Sequence, residues 1–112
     1  MIYGDVAQEV FYVYILLCAD ESYYTGLTNE LMRRYSEHQF GEYPGCYTFN
    51  RRPLQLKYYE TIPFLTDAID REAQIKKWSR RKKKALIERN NHMLQLLSEC
   101  NNLSHHKYKD LR

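Results

Sequence analysis

Hydrophobic and polar residues follow two spacings along the chain, and these spacings predict where strands and helices lie. Residues 11–18 form an unbroken apolar run rich in β-branched and aromatic side chains, which favours a central strand covered on both faces. Residues 19–22 are typical of a turn and residues 23–27 of a second strand, so the two strands form a β-hairpin. A third strand is predicted over residues 54–60, after the turn-like Arg51-Arg52-Pro53.

Hydrophobic spacing of three and four residues predicts the helices. The first helix runs to about Phe40, with Asn29 as its N-cap and Gly41 at its end. A second helix is predicted over residues 68–78 and a third over residues 81–99.

The order of these elements, β-β-α-β-α-α, is typical of a small α+β domain with helices packed on a short three-stranded sheet, mixed or antiparallel. Thr66 or Asp67 is the expected cap of the second helix. We divide the chain into a lead-in (1–10), a domain (11–88), a helical extension (89–99) and a tail (100–112).

Positive charge is concentrated in one segment. The net charge is +3, yet residues 1–70 carry five basic and ten acidic side chains, whereas residues 71–89 carry nine basic and two acidic. This concentration is the footprint expected of a protein that binds a polyanion such as nucleic acid. The alternative is a solvated helix face whose cations provide solubility.

Composition excludes several classes of protein. The chain has 112 residues, enough for one domain. Its longest apolar run is too short to cross a bilayer and follows no basic residue, so it resembles neither a membrane span nor a signal peptide. Cys18, Cys46 and Cys100 have neither disulfide nor zinc spacing. We expect a soluble cytoplasmic protein with reduced thiols.

Two polar residues of the first helix share a face with apolar ones. Leu31, Arg34, Tyr35 and His38 fall at positions i, i+3, i+4 and i+7. Arg34 and His38 therefore point at or near the sheet, where a cation needs an anionic partner. The alternatives are that both side chains reach the surface, or that His38 is a hydrogen-bonded, half-buried histidine.

The second helix has an inward-facing carboxylate. Glu72 lies in the apolar stripe with Ala68 and Ile75. Such a carboxylate is usually paired with arginine or bound to a cation, and pairing with Arg34 is the alternative to a metal. With one carboxylate, the metal would resemble Mg²⁺ in keeping most of its waters and borrowing phosphate oxygens.

The hairpin carries tyrosines on one face. The alternation of side chains along each strand places Tyr14 and Tyr24 on the same face of the hairpin, and we expect them roughly opposite each other. Gly26 within the strand indicates either close approach of a substrate phosphate or a bulge. The tyrosines, arginine, histidine and carboxylate together fit phosphodiester hydrolysis, in which a metal neutralises phosphate charge, arginine stabilises the transition state, and phenol or imidazole accepts a proton.

Six short motifs in this order resemble the GIY-YIG nuclease domain over about residues 10–88. The resemblance is greatest to the small stand-alone bacterial members, and the catalytic domain of the repair excision nucleases is similar. The motifs are Tyr12-Val13-Tyr14-Ile15-Leu16, Tyr24-Thr25-Gly26, Asn29-x-Leu31-x-x-Arg34-x-x-x-His38, Thr48-x-x-Arg51-Arg52-Pro53, Tyr58-Tyr59-Glu60 and Arg71-Glu72-x-x-Ile75-Lys76.

The resemblance implies a three-stranded sheet flanked by helices and cleavage of DNA that depends on Mg²⁺ or Mn²⁺. Tyr14 and Tyr24 stand at the two motif tyrosines, one of which would position or deprotonate water. Arg34 would stabilise the phosphoryl transition state. Glu72 would be the sole metal-ligating carboxylate, and His38 would assist as a base or hydrogen-bond partner.

The chain departs from the family pattern at several points. Tyr12 stands where many relatives have glycine, and Thr25 where they have isoleucine. The late asparagine of the family has two candidates, Asn90 and Asn91. Larger relatives use a second DNA-binding domain, whereas this sequence has only its basic segment, so weak or structure-directed binding with steep salt dependence is expected.

We therefore predict a Mg²⁺-dependent endonuclease that acts on DNA in repair, recombination or processing. A non-catalytic nucleic-acid-binding module and a protein-interaction module are the alternatives. The form of DNA (branched or damaged), RNA as a substrate, a partner protein and the oligomeric state stay open. The predicted nucleic-acid contacts are Gly26, Lys76, Lys77, Arg80, Arg81, Lys82, Lys83 and Lys84.

Overall fold

The computed structural model describes residues 9–88, which contain three strands, three α-helices and a short 3₁₀ helix. Their order confirms the predicted α+β class. These residues divide into two compact units between Glu72 and Ala73. The elements are β1 (Phe11–Leu17), β2 (Tyr23–Thr28), α1 (Leu31–Gln39), the 3₁₀ helix (Phe49–Arg51), β3 (Gln55–Ile62), α2 (Leu65–Lys76) and α3 (Arg80–Ile87).

The sheet has the order β2-β1-β3 and is antiparallel throughout, which is one of the two arrangements predicted. β1 is the central strand, as its apolar run predicted, and residues 13–16 are buried. A bulge in β3 changes the pairing between Ile15 and Leu16, whose partners are Tyr58 and Leu56. Next to this bulge, Tyr59 of β3 pairs with Tyr14 of β1, which is a candidate catalytic residue.

The start of α1 corrects the predicted cap. Glu30, and not Asn29, is the N-cap residue, and it makes no side-chain capping bond. The Asn29 amide instead donates to Glu9 (2.9 Å), while the Thr28 hydroxyl accepts from the Glu30 N–H at 3.0 Å. Local hydroxyl bonding therefore replaces the expected asparagine cap.

The end of α1 is as predicted. Gly41 has a φ of +70°, the left-handed conformation that glycine adopts most readily. Its N–H donates to the His38 carbonyl (3.2 Å), and the Glu42 N–H donates to the Glu37 carbonyl (3.0 Å). This pair of bonds is a Schellman motif, and it places His38 in the last helical turn.

The second helix begins earlier than predicted. α2 starts at Leu65, with the Ala68 N–H bonded to the Phe64 carbonyl at 3.0 Å, so Thr66 and Asp67 lie inside its first turn and do not cap it. The Asp67 carboxylate in that turn interacts favourably with the positive end of the helix dipole. The predicted lead-in up to residue 8, the helix beyond residue 88, the late asparagines and the tail lie outside the described residues.

One hydrophobic cluster lies where α1 covers β1. Its buried members are Tyr14, Leu16, Cys18, Leu31 and Leu54. Tyr14 is thus part of the core as well as a candidate for catalysis. None of the helices within residues 9–88 has the length and apolar character needed to cross a membrane.

Candidate active site

A buried hydrogen-bonded row joins β1, α1 and the loop before β3. The Tyr14 hydroxyl lies 3.0 Å from His38 Nε2, and the Thr48 hydroxyl lies 2.9 Å from His38 Nδ1. All three residues are 1% exposed. The predicted inward direction of His38 is confirmed, and both of its ring nitrogens have protein partners.

Tyr24 extends this row. Its ring centroid lies 6.3 Å from that of Tyr14 and 5.3 Å from that of His38. Tyr14 pairs with Gly26 and Leu16 with Tyr24, so the two tyrosines share a face as predicted, but they are diagonal neighbours and not opposite each other.

Packing within the protein explains why residue 26 is a glycine. It is buried opposite Tyr14, and a Cβ atom at this position would overlap the Tyr14 hydroxyl and ring. The residue therefore makes room for the candidate catalytic phenol. A contact between Gly26 and nucleic acid stays a prediction.

Burial sets the protonation states of the row. Burial raises the pKa of Tyr14 to about 12, although the guanidinium of Arg34 beside it opposes the rise. Burial, with a smaller contribution from Arg34, lowers the pKa of His38 below its ordinary 6.5. At neutral pH the resting pair is thus a neutral phenol and a neutral imidazole.

Cys46 lies at the end of the row, which sequence analysis did not anticipate. Thr48 donates to its sulfur (3.4 Å). Burial opposes ionisation of the thiol, yet hydrogen bonds from Thr48 and Tyr24 and the charge of Arg34 lower its pKa overall. Sequence spacing held no signal for this contact because the contact depends on how the loop at 42–54 folds back.

Arg34 lies at the edge of the row and is half-buried. Its guanidinium carbon is 4.5 Å from the centroid of the Tyr43 ring, and its NH1 is 3.9 Å from the Glu37 carboxylate. The Tyr43 hydroxyl in turn donates to Glu37. Within the described residues, Arg34 Nε is buried without a hydrogen-bond partner, so the guanidinium retains donor capacity for an anion.

Glu72 is half-buried on α2. Its charge contributes to the raised pKa of Tyr14, so the carboxylate lies within electrostatic reach of the phenol. The neighbouring Arg71 is held by Glu60 of β3 at 2.6 Å, and the Tyr58 hydroxyl donates to the same carboxylate at 2.5 Å. These bonds fasten α2 to the sheet one residue before Glu72.

The described residues contain no site in which several protein ligands could hold a metal ion, so an ion at Glu72 would need water and substrate as its other ligands. In the part of the chain that the structure describes, no group of three or more His, Cys, Asp or Glu side chains is arranged to hold a metal. A single carboxylate is sufficient for Mg²⁺, which retains waters and binds substrate phosphate oxygens. Glu72 is the candidate ligand.

The basic segment around α3 is uneven in exposure. Lys82 is only 5% exposed, with its ammonium 4.5 Å from the centroid of the Trp78 ring. Lys83 is half-buried, and burial lowers its pKa. The remaining predicted cations are exposed and suited to contact a polyanion, namely Lys76, Lys77, Arg80, Arg81 and Lys84. Their contact with nucleic acid stays a prediction.

Fold and residue pattern together define a GIY-YIG protein: an antiparallel three-stranded sheet that places two tyrosines beside the arginine and histidine of the following helix. A family model described as the GIY-YIG catalytic domain matches residues 10–85. The chain belongs to the GIY-YIG family.

The relatives are small proteins matched over most of their length. A UPF0213 protein of Syntrophus aciditrophicus is 47% identical over 79 residues, which cover 70% of this chain and 91% of the relative. UPF0213 protein HQ_3675A of Haloquadratum walsbyi is 46% identical over a stretch that covers 69% of this chain and 85% of that protein. The solution NMR structure of protein EF2693 from E. faecalis is similar with a TM-score of 0.52 and 32% identity, over 73% of this chain and 86% of that one.

Proposed function

We propose that the protein is a Mg²⁺-dependent endonuclease that hydrolyses phosphodiester bonds of DNA in repair, recombination or processing. The observation that carries the proposal is the 3.0 Å contact between the Tyr14 hydroxyl and His38 Nε2, with Arg34 beside the same hydroxyl. A phenol with a proton acceptor on one side and a guanidinium on the other suits in-line attack of water on phosphate.

Tyr14 acts as a proton relay in this proposal. Because burial raises the pKa of Tyr14 to about 12 and lowers the pKa of His38, transfer of the phenolic proton to His38 as a separate step is unfavourable. The proton of the attacking water therefore passes to the Tyr14 oxygen as the phenolic proton passes to His38 Nε2. Because both nitrogens of His38 are occupied by protein groups, water reaches the imidazole only through Tyr14.

In this proposal, Arg34 binds the scissile phosphate. Tyr14 is 1% exposed, so a covering side chain has to move before water reaches the phenol. The guanidinium of Arg34 lies beside the Tyr14 oxygen and has an unpartnered Nε within the described residues. Movement of Arg34 onto the scissile phosphate would place positive charge where negative charge develops.

Glu72 would hold the metal through its carboxylate, with substrate oxygens and water as the other ligands. When bound, Mg²⁺ supplies charge neutralisation at the phosphate and assists departure of the alkoxide. The exposed cations around α3 would bind the DNA backbone without regard to sequence.

Cleavage by Glu72→Gln, with Asp70→Asn as control, tests the proposal. Both substitutions replace a carboxylate by an amide on α2, and Asp70 is exposed. The substrates are labelled duplex, branched and single-stranded DNA, and RNA, each with Mg²⁺ or Mn²⁺. We expect the native chain and Asp70→Asn to cut DNA, and Glu72→Gln to bind it without cutting.

The outcomes separate the candidate functions. Binding without cleavage by every variant and with either metal would identify a non-catalytic nucleic-acid-binding module and end the nuclease proposal. Equal cleavage by Glu72→Gln would leave nuclease activity standing but remove Glu72 from the metal site. Preference for one DNA form would indicate the process that the enzyme serves.

A further inference from the structure

We propose that Thr48 is a positioning residue that holds His38 in the tautomer protonated on Nδ1, so that Nε2 accepts the proton of Tyr14. The tautomer is a property of the folded chain. Its catalytic consequence rests on the proposed nuclease function.

The contacts on the two sides of the His38 ring together favour one tautomer. Thr48 Oγ1 lies 2.9 Å from Nδ1 and also donates its own proton to the Cys46 sulfur at 3.4 Å. A hydroxyl has one proton and two lone pairs. With that proton directed to sulfur, the oxygen can accept from Nδ1–H. On the other side of the ring, the Tyr14 oxygen is already hydrogen-bonded to Arg34, so its own proton is directed to His38 Nε2.

The tautomer decides the direction of proton transfer. With Nδ1 protonated, Nε2 carries the lone pair and accepts from the Tyr14 hydroxyl at 3.0 Å. In the other tautomer Nε2–H would donate to the Tyr14 oxygen, and Thr48 would have to turn its proton from Cys46 to Nδ1. His38 could then take no proton from Tyr14, and the relay would be blocked.

The backbone around Thr48 is held firmly, which makes the hydroxyl a fixed acceptor. The Arg51 N–H donates to the Thr48 carbonyl at 3.0 Å, and the Ala19 N–H donates to the Arg51 carbonyl at 2.8 Å. Arg51 Nε also bonds the Asp20 carboxylate at 3.0 Å. The loop is thus tied to the β1–β2 turn, and Thr48 itself is buried.

Imidazole ¹⁵N NMR of the whole chain measures the tautomer directly. The chain has four histidines, and the signals lost in His38→Gln identify those of His38. At neutral pH we expect a protonated Nδ1 and an unprotonated Nε2 in the native chain and in Thr48→Ser, which keeps the hydroxyl. In Thr48→Val, which keeps the shape and removes the acceptor, we expect substantial population of the Nε2–H tautomer.

Cleavage kinetics test the consequence. We expect kcat to fall at least about tenfold in Thr48→Val and to stay within about twofold in Thr48→Ser, with KM unchanged in both. Amide spectra of the variants confirm that the fold is intact. If Thr48→Val does not fold, the tautomer of the native chain still decides the matter.

Two results would overturn the inference: Nε2–H as the main tautomer of native His38, or an unchanged tautomer in Thr48→Val. Failure of the nuclease proposal looks different, because the native chain would then show the Nδ1–H tautomer without cutting any substrate. A fall in kcat without a tautomer change would assign Thr48 a structural role only.

Discussion

The polar groups of two regions of this molecule differ in their exposure and in their partners. In the row formed by Tyr14, His38 and Thr48, each residue is almost fully buried and each polar group has a specific partner. Around α3, by contrast, most cations are exposed. Burial makes a polar group depend on one defined neighbour, whereas exposed charges act together through the field that they produce.

The difference teaches where single substitutions should matter. Removal of one atom from the buried row leaves a neighbour unsatisfied and changes a proton path. Removal of one exposed cation changes one part of a summed attraction that salt already weakens. Four experiments test this contrast, in order of decreasing expected effect.

Tyr14→Phe should have the largest effect. The loss of one hydroxyl breaks the path from water to His38, and we expect cleavage to fall by about 10² to 10⁴ with little change in DNA affinity. Tyr12→Phe, which removes a hydroxyl from the same strand, is the control and should cut normally. Cleavage by Tyr14→Phe at the native rate would exclude the relay.

Gly26→Ala tests the same region by crowding it. The new methyl group would overlap the Tyr14 hydroxyl, and we expect a loss of about 1–3 kcal/mol in the free energy of unfolding, measured by denaturant titration. Gly45→Ala is the matched control, because nothing lies within 4 Å of its Cβ position. Equal stability of the two variants would contradict the close packing of Gly26 on Tyr14.

The pH dependence of stability tests the neutral state of His38. Burial lowers the pKa of His38 in the folded chain below its ordinary 6.5, so the unfolded chain binds the proton more readily. Stability should therefore be fully present above pH 6.5 and decline as the pH falls through the folded-state pKa. Urea titrations over this range should show a shallower decline in His38→Gln, and equal slopes would contradict a depressed pKa.

Single changes in the basic segment should have the smallest effect. Arg81→Gln removes an exposed charge, and we expect weaker DNA binding with the slope of log K against log salt reduced by about 0.9 or less. Lys82→Gln should leave that slope unchanged and instead destabilise the fold, because Lys82 is buried against Trp78. Binding titrations at several salt concentrations distinguish the two, and equal slope changes would place Lys82 on the DNA-binding surface.

Periodicity in the sequence was sufficient for the fold and for the direction of the main side chains. The buried run of β1, the inward face of α1 with His38, and the glycine that ends α1 are all local patterns. The caps were less predictable. Asn29 and Asp67 both suit caps chemically, but neighbouring backbone bonds decided the boundaries, since several residues near each helix start offer similar hydrogen bonds.

The sequence by itself determined the order of the elements, the family and the set of catalytic candidates, because hydrophobic spacing and residue type are properties of short segments. Only the tertiary structure brought Thr48 and Cys46 to His38 and placed Tyr24 diagonal to Tyr14. It also showed that Gly26 leaves room for the Tyr14 side chain. These relations depend on register and loop closure between residues far apart in the chain. The protonation states follow from them, because burial and partners set a pKa.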